Sequence, residues 1–146
     1  MDKISKQRRS WNMSRIGSKN TKPELIVRSY LFSRGVRYRC SPKDLIGKPD
    51  ICIKRYGLIL FVHGCFWHGH SDCKHFRLPK TNSEFWKRKI LRNIERDREV
   101  NTELLKRNFD VHQIWECEIR ARQFAKLDNF IEEYRRRRFT SKVSSG

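Results

Sequence analysis

Residues 64–80 fit no regular element. They lack helical or strand periodicity, and they crowd together glycine, histidine, cysteine and aromatic side chains. A loop of this length inside a compact domain is usually functional or held by a staple. Within it, Cys65-Phe66-Trp67-His68-Gly69-His70-Ser71-Asp72-Cys73 puts two thiols and two imidazoles into nine residues, with His63 and His75 on either side. Thiolate and imidazole together suit Zn2+, which takes four protein ligands in structural sites and then has no open position for water. Cys65, His70 and Cys73 can converge from one loop. The fourth ligand has to come from elsewhere, and Cys117 lies just past a predicted strand that a sheet would set beside this one. Reduced core cysteines and surface histidines are the plain alternative. Cys52, inside a strand, reads as a small buried hydrophobe, and Cys40 has no assigned role.

The rest of the chain is read around this loop. Thr21-Lys22-Pro23-Glu24 is a capping box with proline in the first turn, so a helix is predicted from there to about Ser33, stopped by Gly35. Asp50–Lys54 alternates around Ile51 and Ile53, and Leu58–His63 is a continuous apolar run. The first pattern predicts a strand, the second a central strand covered on both faces, with Tyr56-Gly57 as the hairpin turn. Thr81–Glu84 reads as a second capping box, opening a helix from about Ser83 to Arg107. Trp86, Ile90, Ile94, Asp97, Asn101 and Leu104 share one stripe of that helix. Val111–Trp115 predicts a third strand, and Arg122–Arg138 a last helix with Phe124, Leu127, Phe130, Ile131 and Tyr134 inward. This order predicts an α/β domain, a mixed sheet flanked by helices. Residues 1–20 read as a basic arm, 21–138 as the domain and 139–146 as a frayed tail.

Charge narrows the partner. Among 146 residues, 34 are Lys or Arg and 16 are Asp or Glu, a net charge of +18. Residues 1–40 carry 11 basic and 2 acidic side chains, residues 74–98 carry 9 and 3, and residues 99–119 carry 2 and 5. A further run, Arg135–Arg138, lies near the end. Solubility alone needs a net charge of roughly 2–8 in a small domain, so nucleic acid is the expected partner. The longest apolar run, Leu58–Val62, is too short to span a bilayer. Five cysteines, an odd number, with no apolar leader segment argue against a secreted disulfide scaffold and for a cytoplasmic protein. The acidic stretch 99–119 is expected to lie mostly away from DNA.

Chemistry on a polyanion needs acids to hold a metal and a group to move a proton. Gly47-Lys48-Pro49-Asp50 opens the first strand with Pro-Asp, the first half of a nuclease pattern whose acid binds Mg2+ at the scissile phosphate. The second half, acid-x-Lys on the next strand, is absent: that strand reads Leu-Ile-Leu-Phe-Val-His. His63 and His68 are the available bases or proton donors, suited by a pKa near neutrality. Glu24 is either the capping-box partner of Thr21 or a site acid. Asp97 sits on the same stripe as Ile90 and Ile94, where an unpaired carboxylate is costly. It is a site residue there, or it pairs with Arg92 or Arg96 on the surface. Phe66 and Trp67 either cover the zinc or form apolar wedges of the kind that unstack DNA, and Trp86 is either core or part of the same group.

Together these residues resemble the very-short-patch repair endonucleases, bacterial enzymes that nick DNA at T:G mismatches. The resemblance runs from about Arg9 to Arg122. It rests on Ser10–Met13 (SWNM), Asn20–Glu24 (NTKPE), Gly47–Asp50 (GKPD), Phe61–His70 (FVHGCFWHGH), Glu84–Trp86 (EFW), Lys89–Arg98 (KILRNIERDR) and Trp115–Cys117 (WEC). It implies a restriction-endonuclease-like fold, a structural zinc and Mg2+-dependent cleavage. It implies Asp50 as the metal-binding carboxylate with the backbone carbonyl of Val62, His68 as the catalytic histidine and His63 as a second one. Glu24 and Asp97 match site acids. Cys65, His70, Cys73 and Cys117 match zinc ligands, and Phe66, Trp67 and Trp86 match intercalating aromatics. The implied partner is double-stranded DNA carrying a T:G mismatch, met by a monomer in the bacterial cytoplasm at the nucleoid, with room for recruitment by a mismatch-repair mediator protein. A sequence-specific restriction nuclease on the same fold and a zinc-stabilised DNA-binding module without catalysis are the competing readings.

Overall fold

The computed structural model describes residues 21–145 apart from Ser41, Asp72, His75 and the side chains of 142–145. The expected basic arm, 1–20, lies outside the described residues. In chain order the elements are α1 (Lys22–Ser33), β1 (Ile51–Ile53), a 3-10 turn (Lys54–Tyr56), β2 (Leu58–His63), α2 (Ser83–Lys106), β3 (Asp110–Trp115), α3 (Glu116–Arg120) and α4 (Ala125–Ser145).

β2 is the middle strand of a mixed three-stranded sheet, antiparallel to β1 and parallel to β3. Successive side chains of a strand face opposite ways. Leu58 and Leu60 therefore enter one core, with Val27 and Leu31 of α1 and Leu127 and Phe130 of α4. Ile59 and Phe61 enter a second core, with Val100 and Leu104 of α2. Both faces of β2 are covered, which is why its sequence is apolar without alternation. The turn back from β1 closes on Gly57, whose φ of 66° suits glycine.

The helix ends depart in part from the sequence pattern. Thr21 caps α1, its hydroxyl accepting the Glu24 N–H at 3.4 Å. The second capping box does not form. The N-cap of α2 is Asn82 with φ 59°, and no side chain caps it. α4 starts at Ala125 rather than Arg122, because Arg122 is held at φ 55° and cannot be helical there. It continues to Ser145, through the stretch expected to fray; 139–145 contain no Gly or Pro to stop it. The short helix α3 has no periodicity long enough to read from sequence. No helix among the described residues is long and apolar enough to cross a membrane.

Candidate active site

The parallel register pairs His63 with Trp115 at the carboxyl ends of β2 and β3. Cys65 and Cys117 each follow two residues later, so the sheet itself brings them together. The loop then returns His70 and Cys73 to the same place. One ligand atom from each of Cys65, His70, Cys73 and Cys117 lies within 4.8 Å of all the others. Cys117 Sγ is 3.5 Å from His70 Nδ1, and the His70 ring stacks on Trp115 at 4.0 Å. Burial pushes the Cys65 thiol up to about 12 and raises that of Cys117. Protonated thiols crowded this way gain little from one another. Two-electron donors converging on a common point suit a thiophilic cation, and the set fits Zn2+ in number and kind.

A cleft of about 490 Å3 opens beside this cluster. Asp50, at the start of β1, projects into it and accepts the Val62 N–H at 2.6 Å. Glu24, buried in the first turn of α1, faces the same carboxyl and pairs with Arg28 at 3.6 Å. Burial drives the Asp50 carboxyl up to about 7; the Val62 N–H opposes this, and Glu24 adds to it. A buried and a half-buried carboxyl sharing one position repel when both ionise, and a hard cation relieves that repulsion. The pair fits a divalent metal.

On the opposite wall stands a file of three groups. His63 follows Phe61 by two residues and so faces α2, where it stacks on His68 at 4.0 Å with planes 9° apart. His68 Nδ1 lies 2.6 Å from Asp97 Oδ2 on α2. Asp97 thus pairs with neither Arg92 nor Arg96 among the described ion pairs. Burial holds His63 down to about 4, with the neighbouring His68 lowering it further and Asp97 opposing, and its Nδ1 is buried without a hydrogen-bond partner. His63, His68 and Asp97 also place ligand atoms within 4.8 Å of one another.

Residues 1–75 match the family model described as DNA mismatch endonuclease Vsr. The chain is 44% identical over 134 residues to the type II nicking enzyme V.NmeAIP of Neisseria meningitidis, covering 90% of this chain and 95% of that one. It belongs to the Vsr family. It is also 45% identical over 118 residues to the type II nicking enzyme V.XorIIP of Xanthomonas oryzae, covering 81% and 86% of the two chains. Its identity to the DNA mismatch endonuclease Vsr of Escherichia coli is 38% over 122 residues, covering 84% and 78%. The resemblance read from the motifs and the family model agree on a DNA endonuclease.

The aromatics of this Vsr-family chain gather around Trp67, which lines the cleft. Phe66 lies 5.1 Å from Trp67 and 5.7 Å from Trp86, ring to ring, and the two tryptophans are 5.9 Å apart. Trp67 itself remains 45% exposed. Lys89 Nζ sits over both tryptophans at 5.6 and 5.8 Å. Asn93 donates to the Trp67 carbonyl at 3.0 Å and ties the loop to α2.

Two features of the site escaped the sequence reading. Glu116 and Arg120, ion-paired across one turn of α3, line the cleft. Glu116 is thus the part of the acidic stretch 99–119 that lines the cleft, because α3 turns the chain back beside β2. The signal was available in Glu116 preceding Cys117, but its side depends on a helix too short to predict. The arginine run, for its part, is largely tied into the fold. Arg137 donates to the Tyr56 carbonyl at 2.6 Å and to Asp110 and Glu133, Arg136 binds Glu133, and Arg135 donates to the Arg34 carbonyl.

Proposed function

We propose that the chain nicks one strand of duplex DNA on the 5′ side of the thymine in a T:G mismatch, the product of 5-methylcytosine deamination, by Mg2+-dependent hydrolysis of one phosphodiester. The observation that carries this reading is one cleft lined by the Glu24–Asp50 carboxyl pair, His63, His68 and the exposed Trp67, with Asp97 bonded to His68. The name of the Escherichia coli relative supports the mismatch, and the nicking names of the other relatives support a single-strand cut. The mixed sheet with acids at its strand ends is read as a restriction-endonuclease-like fold.

Asp50, with the Val62 carbonyl, would hold Mg2+. The bound cation supplies stabilisation of charge developing on the phosphate. Asp97, accepting from His68 Nδ1–H, fixes the tautomer and leaves Nε2 as the basic nitrogen. His68 then takes the proton of the attacking water while the bond from phosphorus to the leaving sugar oxygen breaks. His63, kept neutral by burial, stacks behind His68 and holds its ring plane. Cys65, His70, Cys73 and Cys117 would hold Zn2+, whose role is structural because all four positions come from protein. Phe66, Trp67 and Trp86 enter the base stack. A mismatched step is easier to unstack than a paired one, so insertion itself discriminates. One cleft per chain suits a monomer and one cut, and a mismatch-repair mediator protein is the expected recruiter at the nucleoid.

The test is a nicking assay on T:G and C:G duplexes of the same sequence with Mg2+. Selective cutting of the thymine strand is expected, and Asp50→Ala should abolish it. Equal cutting of both duplexes would remove the mismatch reading, double-strand cutting of paired DNA would favour a restriction nuclease, and DNA binding with no cutting would favour a non-catalytic module.

A further inference from the structure

The cleft must bind a phosphodiester, yet Glu24, Asp50 and Glu116 line it and repel an anion. Three cationic side chains share the lining: Lys22, Lys48 and Arg120. Arg120 is engaged by Glu116. Lys22 is the first residue of α1 and lies at the edge where the cleft meets a second groove. Lys48 is different. It stands two residues before Asp50 on the same loop, is exposed, and has no ion-pair partner among the described residues.

Its backbone is also in a conformation that a lysine rarely adopts. Lys48 has φ 44°, in the left-handed region. Glycine avoids this cost, and the residue before it is one: Gly47, φ 79°, packs so tightly on Val100 that a Cβ there would lie 2.4 Å from Cγ1. That contact with α2 pins the loop. Lys48 is left to complete a turn in which a second glycine would be easier for the backbone. Strain kept at a cleft residue points to a side chain the site needs. β2, which runs past Asp50, offers no lysine of its own.

We propose that Lys48 is a further catalytic residue, its ammonium placed on the non-bridging oxygens of the scissile phosphate beside Asp50. This rests on the nuclease reading of the cleft. The ammonium offsets the carboxylates on approach and stabilises charge as the pentavalent phosphate forms.

Three variants test it: Lys48→Met keeps the stem without the charge, Lys48→Arg keeps the charge, and Lys48→Gly removes both the charge and the strain. Single-turnover nicking should fall about 100-fold in Lys48→Met, the usual effect of deleting one preorganised electrostatic group. Lys48→Arg should recover a substantial part of that loss. Lys48→Gly should nick as poorly as Lys48→Met while its Tm rises, which a merely structural lysine would not show. Duplex affinity against salt gives a second readout on any sequence. The slope of log K against log salt should shrink by about 0.9 in Lys48→Met, the value of one phosphate contact. If T:G and C:G duplexes are cut or bound alike, the mismatch reading fails while these readouts still apply. A Lys48→Met protein with an unchanged salt slope and a nicking rate within twofold of the parent would overturn the proposal, as would a Lys48→Gly protein that gains stability without losing activity.

Discussion

Gly69 lies between His68 of the cleft and His70 of the cysteine cluster, and Gly69→Ala should disturb both without touching either. The residue has φ 60°, and an added Cβ would sit 2.7 Å from Ile94 Cδ1 and 2.8 Å from Ile90 Cγ2. Carbon atoms in contact rest at about 3.5–4.0 Å. Something must give by about 1 Å. The Ile94 atom is the tip of its side chain and can swing aside. The Ile90 atom is on the β-branch, fixed by one strongly preferred χ1 in a helix. α2 is a continuous helix, so the loop yields. Left-handed backbone in alanine costs about 1–2 kcal/mol and overpacking costs about 1–3 kcal/mol, so the expected destabilisation is about 2–5 kcal/mol. A 1 Å displacement of reacting groups costs on the order of 100-fold in rate. Urea denaturation, metal analysis and single-turnover nicking together read the effect: lower stability, weaker zinc retention and about 100-fold slower nicking. Ile94→Val deletes Cδ1, so the double variant Gly69→Ala, Ile94→Val should be more stable than the sum of the single changes by at least about 0.5 kcal/mol, the lower end of coupling between contacting residues. Strict additivity, or full activity in Gly69→Ala, would refute the packing.

Other perturbations separate the remaining parts of the site. Asp97→Asn keeps the shape beside His68 but supplies a weaker acceptor and can impose the wrong tautomer; nicking should fall by 100-fold or more with little change in Tm, as single-turnover rates and thermal melts will show. Asp50 titrates about 7 when folded and near the ordinary carboxylate range when unfolded. Its contribution to the metal-free fold is therefore complete below about pH 4 and is lost as pH rises through 7. Asp50→Asn should accordingly raise Tm in chelator at pH 8, with the gain vanishing by pH 4, while abolishing nicking. Because the Cys65 thiol is pushed up to about 12, zinc uptake should release protons and weaken steeply as pH falls, which calorimetry in buffers of different ionisation enthalpy will register. Arg137→Ala should destabilise the fold by about 1–2 kcal/mol in urea, since it leaves the Tyr56 carbonyl and Asp110 without their donor, yet bind DNA with the same salt slope.

The parts legible in the sequence are those whose signal is local or periodic. The apolar run 58–62 gave the central strand because only a strand covered on both faces dispenses with alternation. The convergence of Cys65, His70, Cys73 and Cys117 was legible because the thiols and imidazoles are dense in one irregular loop, and Cys117 followed from a strand ending just before it. Asp97 stood out as a carboxylate on an apolar stripe, and the structure gives it His68 at 2.6 Å. What failed was governed by long-range packing. Thr81–Glu84 has the letters of a capping box, but the incoming chain sets Asn82 left-handed. Thr21-Glu24 has the same letters, and there the cap forms while the glutamate also serves the cleft, facing Asp50. Side-chain direction at a helix start is decided by what the helix is packed against, and no local pattern records that. Glu116 reaches the cleft through the same kind of packing, and the partners of Arg135–Arg137 are likewise set by distant elements.

The two centres share one loop in a particular order. Cys65 and His70 belong to the proposed zinc set, and between them lie Phe66, Trp67 and His68, the side chains read as wedge and base. A six-residue span pinned at both ends has little freedom, so anchoring Cys65 and His70 to Cys117 on α3 would fix where the aromatics and His68 can stand. His68 is then locked from the side by Asp97, and Trp67 by Asn93, both from α2. The loop is thus held between the sheet end and one helix, with Gly69 as the close-approach residue that lets it lie on Ile90 and Ile94. On this geometry a metal held by the four proposed ligands would reach the chemistry without touching it. Releasing it should scatter wedge and base together, while the Asp50–Val62 contact, built from β1 and β2 alone, stays in place. A zinc-stripped protein that still nicks T:G duplex at the parent rate would show that α2 alone holds the loop.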